Sequence, residues 1–268
     1  SSWPTPMSLH PGTGRYNPAG NSDFTRKAEA LALGIAAVMI ERGWYDVDFI
    51  RDWTNGPLLV RTDNGRLLME SDLATGGRQR RYVAWNAVTA RPVMYDPASG
   101  LYEGSNGELA LFGNFPIPTL EGLVVCRPVF DLTADNCRQY SPDRVAAICG
   151  LAASHVEGAA RMLWDARPVA YYAWSGVEMQ TNATQIARAI AQLYTLTGSL
   201  DAPGGNVLFA AAPTANVQGA ELLPAEQRAR SLGLLERPLG PARWQFVTTD
   251  DMYRAMLEEK PYPVRGLV

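Results

Sequence analysis

Between Arg26 and Arg42, apolar residues recur at Ala28, Leu31, Ala32, Ile35, Ala36 and Met39. That is the spacing of one helix face, and Gly43 ends it. A shorter helix follows over Tyr45–Trp53 through Val47, Phe49, Ile50 and Trp53. The runs Leu58-Leu59-Val60 and Arg66-Leu67-Leu68-Met69 flank Asp63-Asn64-Gly65, the strongest hairpin signal in the chain. Two more strands are predicted at Tyr82–Trp85 and Pro92–Tyr95, and residues 96–121 read as turns. Residues 54–125 therefore form a strand- and loop-rich excursion.

The next stretch is helical. Ser141-Pro142-Asp143 supplies an N-cap, a first-turn proline and a first-turn acid, with Gly150 closing the helix. Ser154-His155-Val156-Glu157 has the form of a capping box for a helix reaching about Asp165. Val169 to Trp174 is then apolar and aromatic without alternation, as expected of a strand covered on both faces. A helix starts near Asn182, with Ile186, Ala189, Ile190, Leu193 and Leu196 on one face and Gly198 as its C-terminal glycine. Pro203-Gly204-Gly205-Asn206 leads to Val207–Ala210, completing a βαβ pattern with a parallel crossover. Residues 222–247 read as surface, and Thr248 or Thr249 caps a last helix ending near Lys260-Pro261.

The predicted class is α/β: a parallel-sheet three-layer core with helices on both faces and an antiparallel hairpin excursion. Residues 1–25, rich in Pro, Gly, Ser and Asn, form an irregular arm, and 26–268 one domain. The chain ends as Val264–Val268 begin an apolar strand, so it is expected to be a middle piece of a longer polypeptide.

Composition narrows the chemistry. A net charge of −3 with no basic cluster beyond Arg78-Gln79-Arg80-Arg81 argues against nucleic-acid binding. No apolar run is long enough for a membrane span. Cys126, Cys137 and Cys149 have no Cys-x-x-Cys spacing, which disfavours a zinc or iron-sulfur site, and they read as buried or lone thiols with a single disulfide left open. Both histidines, His10 and His155, precede Ser175, so a Ser-Asp-His order fails there, and Gly-x-Gly-x-x-Gly is absent.

What remains is the turn from Ser175 to Asn182. Ser175 and Gly176 are small enough to let backbone approach a diphosphate, Gln180, Thr181 and Asn182 are neutral hydrogen-bonding groups, and a helix start offers free N–H groups. Glu178 is the one ionisable residue of the turn, read as orienting rather than catalytic. Thr181 or Asn182 as a plain helix cap is the competing reading.

The set Trp174-Ser175-Gly176, Gln180-Thr181-Asn182-Ala183-Thr184-Gln185, Leu196-Thr197-Gly198-Ser199 and Pro203-Gly204-Gly205 resembles, in this order, the middle region of the molybdopterin oxidoreductases, the family of DMSO reductase, formate dehydrogenase and periplasmic nitrate reductase. Ala183 stands for a usual Gly and Ser199 for a usual Asn. Ser141-Pro142-Asp143-Arg144, Asn216-Val217-Gln218-Gly219 and Pro261-Tyr262-Pro263-Val264-Arg265 also resemble family elements, so the likeness covers roughly residues 28–268. His10-Pro11-Gly12-Thr13 resembles a Pro-Gly-Thr-Asp element, but Gly14 replaces its Asp, and guanine recognition is not carried over.

The resemblance implies a bis(molybdopterin guanine dinucleotide) cofactor carrying molybdenum or tungsten, touched by Ser175, Gly176, Glu178, Gln180, Thr181 and Asn182. It implies the remaining domains of a large subunit and an iron-sulfur electron-transfer subunit as partners, in a bacterial cytoplasm or periplasm. No catalytic or metal-ligating residue is assigned, and the chain is expected to be inactive by itself. The alternative is a non-catalytic, stand-alone α/β nucleotide-binding or scaffold module.

Overall fold

A computed structural model describes residues 23–104, 106–178, 182–210, 212–213 and 219–266, with backbone alone at 23–26, 106, 175, 178 and 220. The first helical stripe folds as α1 (Asp23–Glu41). Its burial exceeds one stripe: Ala30, Leu33, Ala37 and Val38 are inside along with Ala32, Ile35, Ala36 and Met39. A helix apolar nearly all round belongs in a core. The chain then forms α2 (Val47–Trp53), β1 (Leu59–Arg61), α3 (Glu70–Leu73), β2 (Tyr82–Asn86), β3 (Arg91–Asp96), β4 (Leu101–Tyr102), β5 (Phe115–Thr119), β6 (Gly122–Pro128), α4 (Val129–Arg138), α5 (Pro142–Cys149), α6 (Ala153–Asp165), α7 (Ser175–Glu178), α8 (Ala183–Leu196), α9 (Ala225–Ala229) and α10 (Thr249–Leu257). Helices α4, α5, α6 and α8 all pack on α1. The approach of α5 is close: a Cβ on Gly34 would lie 2.5 Å from Val145 Cγ2 and 3.2 Å from the Tyr140 carbonyl.

Helix and sheet are both present, as expected of an α/β chain, but the two sheets are small and antiparallel, in the orders β1-β6-β5 and β2-β3-β4. Strands β2 and β3 fall where their alternation places them. The Asp63-Asn64-Gly65 turn also forms, with Gly65 at φ 70° and Arg61 N–H donating to the Arg66 carbonyl at 2.9 Å. Its returning arm pairs through isolated bridges, Val60–Leu67 to β1 and Met69–Tyr82 to β2, rather than as a strand of its own. The β5–β6 hairpin is missed by the turn-rich reading of 96–121: Pro116 and Pro118 disguise β5, and an edge strand tolerates them. Leu59, Leu68, Val83, Ile117, Val124 and Cys126 form the core between these strands.

Among the described residues the parallel core predicted around Val169–Trp174 does not appear; Leu200–Asn206 is the one parallel bridge. A strand needs neighbours to be a strand, and among the described residues no ladder partner lies beside this segment. Tyr172 is 92% exposed and Trp174 84%.

The caps are mostly as predicted. Ser141 Oγ accepts from Arg144 N–H, Pro142 opens α5, and Gly150 closes it at φ 71°. Thr248 caps α10 by accepting from Asp251 N–H. The capping box at Ser154 does not form: α6 begins two residues earlier, with Ala152 as a cap that has no side-chain bond. Helix α4, which no sequence signal predicts, starts after Pro128 with no side-chain cap. The three cysteines are free thiols, and burial pushes Cys126 up to about 11 and Cys137 up to about 12, so both stay protonated at neutral pH. Contacts divide the chain into two compact units, residues 1–209 and 210–268. Within the second, Arg237 pairs with the buried Asp251 at the start of α10.

Arg61, only 4% exposed, is surrounded by acids: its guanidinium donates to Asp63 at 3.1 and 2.7 Å, to Asp72 at 3.3 Å and to Glu121 at 2.5 Å. The Arg61 hydrogen bond holds the Asp63 carboxyl below its ordinary range. A carboxyl whose folded pKa is depressed stabilises the fold above its unfolded pKa, and that contribution is lost as pH falls through the folded value. Unfolding free energy is therefore expected to fall as pH drops below about 4. Arg61→Met should flatten that acid limb, and an unchanged limb in the variant would exclude the pairing as its source.

Candidate functional site

The site segment leaves α6 through Asp165 and crosses a cis Arg167–Pro168 bond. It then runs without regular secondary structure over residues 169–174. What holds this run is a set of side chains rather than a ladder. Ser199 Oγ accepts from Val169 N–H at 3.1 Å. The Asn206 carboxamide bonds Tyr171 twice, accepting from its N–H and donating to its carbonyl, each at 2.8 Å. An Asn side chain thus replaces one rung of a β-ladder.

Ser199 is the hub behind this arrangement. It is fully buried, its Oγ lies 2.7 Å from Thr197 Oγ1, its N–H donates to the Tyr194 carbonyl and its carbonyl accepts from Asn206 N–H at 3.0 Å. Gly198, at φ 64°, turns the end of α8 into this loop, and a Cβ there would lie 2.6 Å from Asp46 Oδ2. Asp46 in turn caps α2, accepting from Phe49 N–H at 2.8 Å.

After Trp174 the backbone closes one helical turn, α7, with Val177 N–H donating to the Trp174 carbonyl at 2.9 Å. Ser175, Gly176 and Glu178 all lie in this turn. Gly176 is exposed, and a Cβ on it would have open space around it. Gln180 and Thr181 lie outside the described residues.

Asn182 occupies the N-cap position of α8, its carbonyl accepting from Gln185 and Ile186 N–H at 3.1 Å each. Its side chain makes no capping bond. Instead Nδ2 donates to Glu29 Oε2 on α1 at 2.7 Å. Half-burial pushes the Glu29 carboxyl above its ordinary range, and the Asn182 bond offsets part of that rise. Burial, with the Glu29 charge as a lesser cause, likewise raises the Tyr140 hydroxyl.

The structure therefore brings Ser175, Gly176, Glu178 and Asn182 onto one short stretch between the exposed segment and α8. Glu29, Ser199 and Asn206 were missed. Asn206 after a Gly-Gly pair reads as turn chemistry, and nothing local marks Glu29, 153 positions before its partner. Among the described residues no cluster of His, Cys, Asp and Glu is placed to hold a metal ion, and no helix is long and apolar enough to cross a membrane.

No protein-family model matches the chain. It is 26% identical over 329 aligned residues to dopamine dehydroxylase of Eggerthella lenta, covering 89% of this chain and 32% of that protein. It is 29% identical over 207 residues to perchlorate reductase subunit alpha of Dechloromonas aromatica strain RCB, covering 66% of this chain and 22% of that one. Among solved structures, acetylene hydratase from Pelobacter acetylenicus superposes with a TM-score of 0.51 at 19% identity, over 89% of this chain and 26% of the other; the likeness is one of fold. The chain spans about a third or less of the length of these proteins.

Proposed function

The chain is related to the catalytic subunits of the molybdopterin oxidoreductases, and from that premise we propose that it forms one wall of the site for a bis(molybdopterin guanine dinucleotide) cofactor in an oxidoreductase whose chemistry needs further polypeptide. The observation that carries the reading is the α7–α8 stretch: an exposed Gly176 with open space above it, followed by the start of a fourteen-residue helix. A diphosphate needs close backbone approach ahead of a helix start, and the open space at Gly176 before α8 supports that reading. When bound, the cofactor would supply two-electron redox chemistry at molybdenum or tungsten. In this chain Ser175, Gly176 and the first turn of α8 would cradle the phosphates, Gln180, Thr181 and Asn182 would offer neutral bonds to phosphate or pterin edges, and Glu178 would orient the group.

The two apolar segments around the loop support a sheet that extends beyond the described pairings. Tyr172, Trp174, Leu208 and Phe209 are all exposed, on two runs that the bonds between the Asn206 side chain and Tyr171 join. We read them as adjacent positions of a parallel sheet that the remaining two thirds of a relative-length subunit would complete. Other domains of such a subunit and an iron-sulfur electron-transfer subunit are the partners this reading implies.

The test is a titration of the 268-residue chain with guanosine diphosphate, followed by amide hydrogen exchange. Protection is expected at 175–178 and 182–184. Gly176→Ala should change stability by no more than about 0.5 kcal/mol, because its new methyl meets open space. It should nevertheless reduce that protection, because the methyl stands where the ligand approaches. Protection confined elsewhere, or none, would overturn the site. Dye-coupled redox turnover by this chain alone would overturn the claim that further polypeptide is required.

A further inference from the structure

We propose that the exposed runs at residues 169–174 and 207–209 form a self-association surface whose partner is a second copy of this chain, docked about a two-fold axis, an inference that goes beyond the cofactor reading and needs no bound nucleotide. Asn206 joins the two runs, its carboxamide bonding both backbone groups of Tyr171 at 2.8 Å. Tyr171 keeps its ring by Tyr194, at 6.3 Å between centroids. Tyr172 and Trp174 stand out into solvent instead, as do Leu208 and Phe209, the last at 88% exposure.

Backbone groups are open along with these side chains. Val169 N–H donates to Ser199 and Leu208 N–H to Asp201, each at 3.1 Å, but the backbones of Tyr172 and Ala173 make no hydrogen bond to any described residue. An apolar segment with open backbone groups pairs with another chain unless something blocks it. Elsewhere the chain does block an edge: β5 carries Pro116 and Pro118, which have no N–H to offer. Neither of the two exposed runs contains a proline or a charged residue.

Charge and area select the partner. A two-fold interface sets a patch against itself, so like charges would meet, and an uncharged patch avoids that cost. An aromatic side chain buries about 150–250 Å². At their exposures Tyr172, Trp174 and Phe209 alone therefore bring roughly 400–650 Å², half or more of the ~800 Å² per partner of a stable interface. Further polypeptide of a longer subunit would compete for this surface. Where the chain stands alone, its own copy takes it.

Sedimentation velocity of the 268-residue chain from about 1 to 100 μM brackets the micromolar dissociation constant at the weak end for such an interface. Twice the monomer mass is expected at the upper end, and amide exchange at Tyr172 and Ala173 should slow as concentration rises. Tyr172→Asp and Phe209→Asp should each weaken association by about a hundredfold or more, because the two-fold places every new charge in the interface twice. Leu123→Asp, on the exposed face of β6, should stay within about threefold of the wild-type dissociation constant. Circular dichroism checks that each variant folds; if one does not, the other carries the comparison, and the concentration-dependent exchange needs no variant.

A monomer throughout the range, assemblies that grow past the dimer, or a dimer that survives both charged variants would overturn the inference. A monomer would leave the cofactor reading untouched, and a chain that dimerises without binding guanosine diphosphate would overturn that reading alone.

Discussion

Gly205→Ala is expected to destabilise the chain by about 2–4 kcal/mol, the cost of overpacking plus hydrogen bonds broken to relieve it. An added Cβ would run into the Ser199 carbonyl oxygen, with the Ser199 carbonyl carbon at 3.0 Å and the Ala202 oxygen at 3.3 Å. All three obstacles are backbone, so no side-chain rotation relieves them. The loop must open instead, and opening it strains the Asn206 N–H to Ser199 bond and the Gly205 N–H to Ala202 bond. Asn206 then no longer holds Tyr171, and the segment leading to Ser175 loses its rung. Thermal unfolding reads the first effect; exchange at Tyr171 and across 175–178 reads the second. A variant as stable as wild type, with Tyr171 still protected, would show that the loop has slack the contacts deny.

Phe130→Ala should cost more, about 3–5 kcal/mol, the usual range for removing a buried aromatic ring. Phe130 is fully buried at the beginning of α4. Its ring meets Tyr45 at 5.0 Å and Phe112 at 5.3 Å, and its N–H donates to the Gly56 carbonyl at 2.9 Å. It therefore ties the α2 region and the loop before β5 to the helical core. For a chain of this size the loss corresponds to a fall in unfolding midpoint of roughly 6–20 °C. Leu123→Ala, on the exposed face of β6 at 71% exposure, is the control and should stay within about 0.5 kcal/mol. Equal losses in the two variants would place the core elsewhere.

Legibility followed the range of the forces involved. The α1 stripe, the Asp63-Asn64-Gly65 turn, the Ser141 and Thr248 caps and the buried face of α8 all depend on neighbours within a few positions. Such elements are written into local spacing. Strand β5 was hidden because prolines are judged locally as breakers, while their tolerance depends on β5 being an edge. Capping by Ser154 failed because Ala152 takes the N-cap place two residues sooner, a boundary that local signals resolve poorly.

The candidate site divides in the same way. Ser175, Gly176, Glu178 and Asn182 are candidates that the chain itself suggests, because small residues, neutral amides and a helix start stand together in it. It does not suggest their supports, since Glu29 reaches Asn182 across 153 positions and Asn206 reaches Tyr171 across 35.

By itself the sequence determined most of the longer helices, the strands β1 to β3 and the ordered motifs that relate this chain to the molybdopterin oxidoreductases. It did so because periodicity and turn chemistry act through adjacent residues. Only the tertiary structure decided that the described core is a helix hub around α1 rather than a parallel sheet, and that Val169–Trp174 is held by Ser199 and Asn206. It also decided that Asn182 faces Glu29 instead of capping α8. The reason is physical: an apolar run specifies that it be covered, but which element covers it, and which distant group satisfies its polar atoms, is settled by competition among all the surfaces the folded chain brings together.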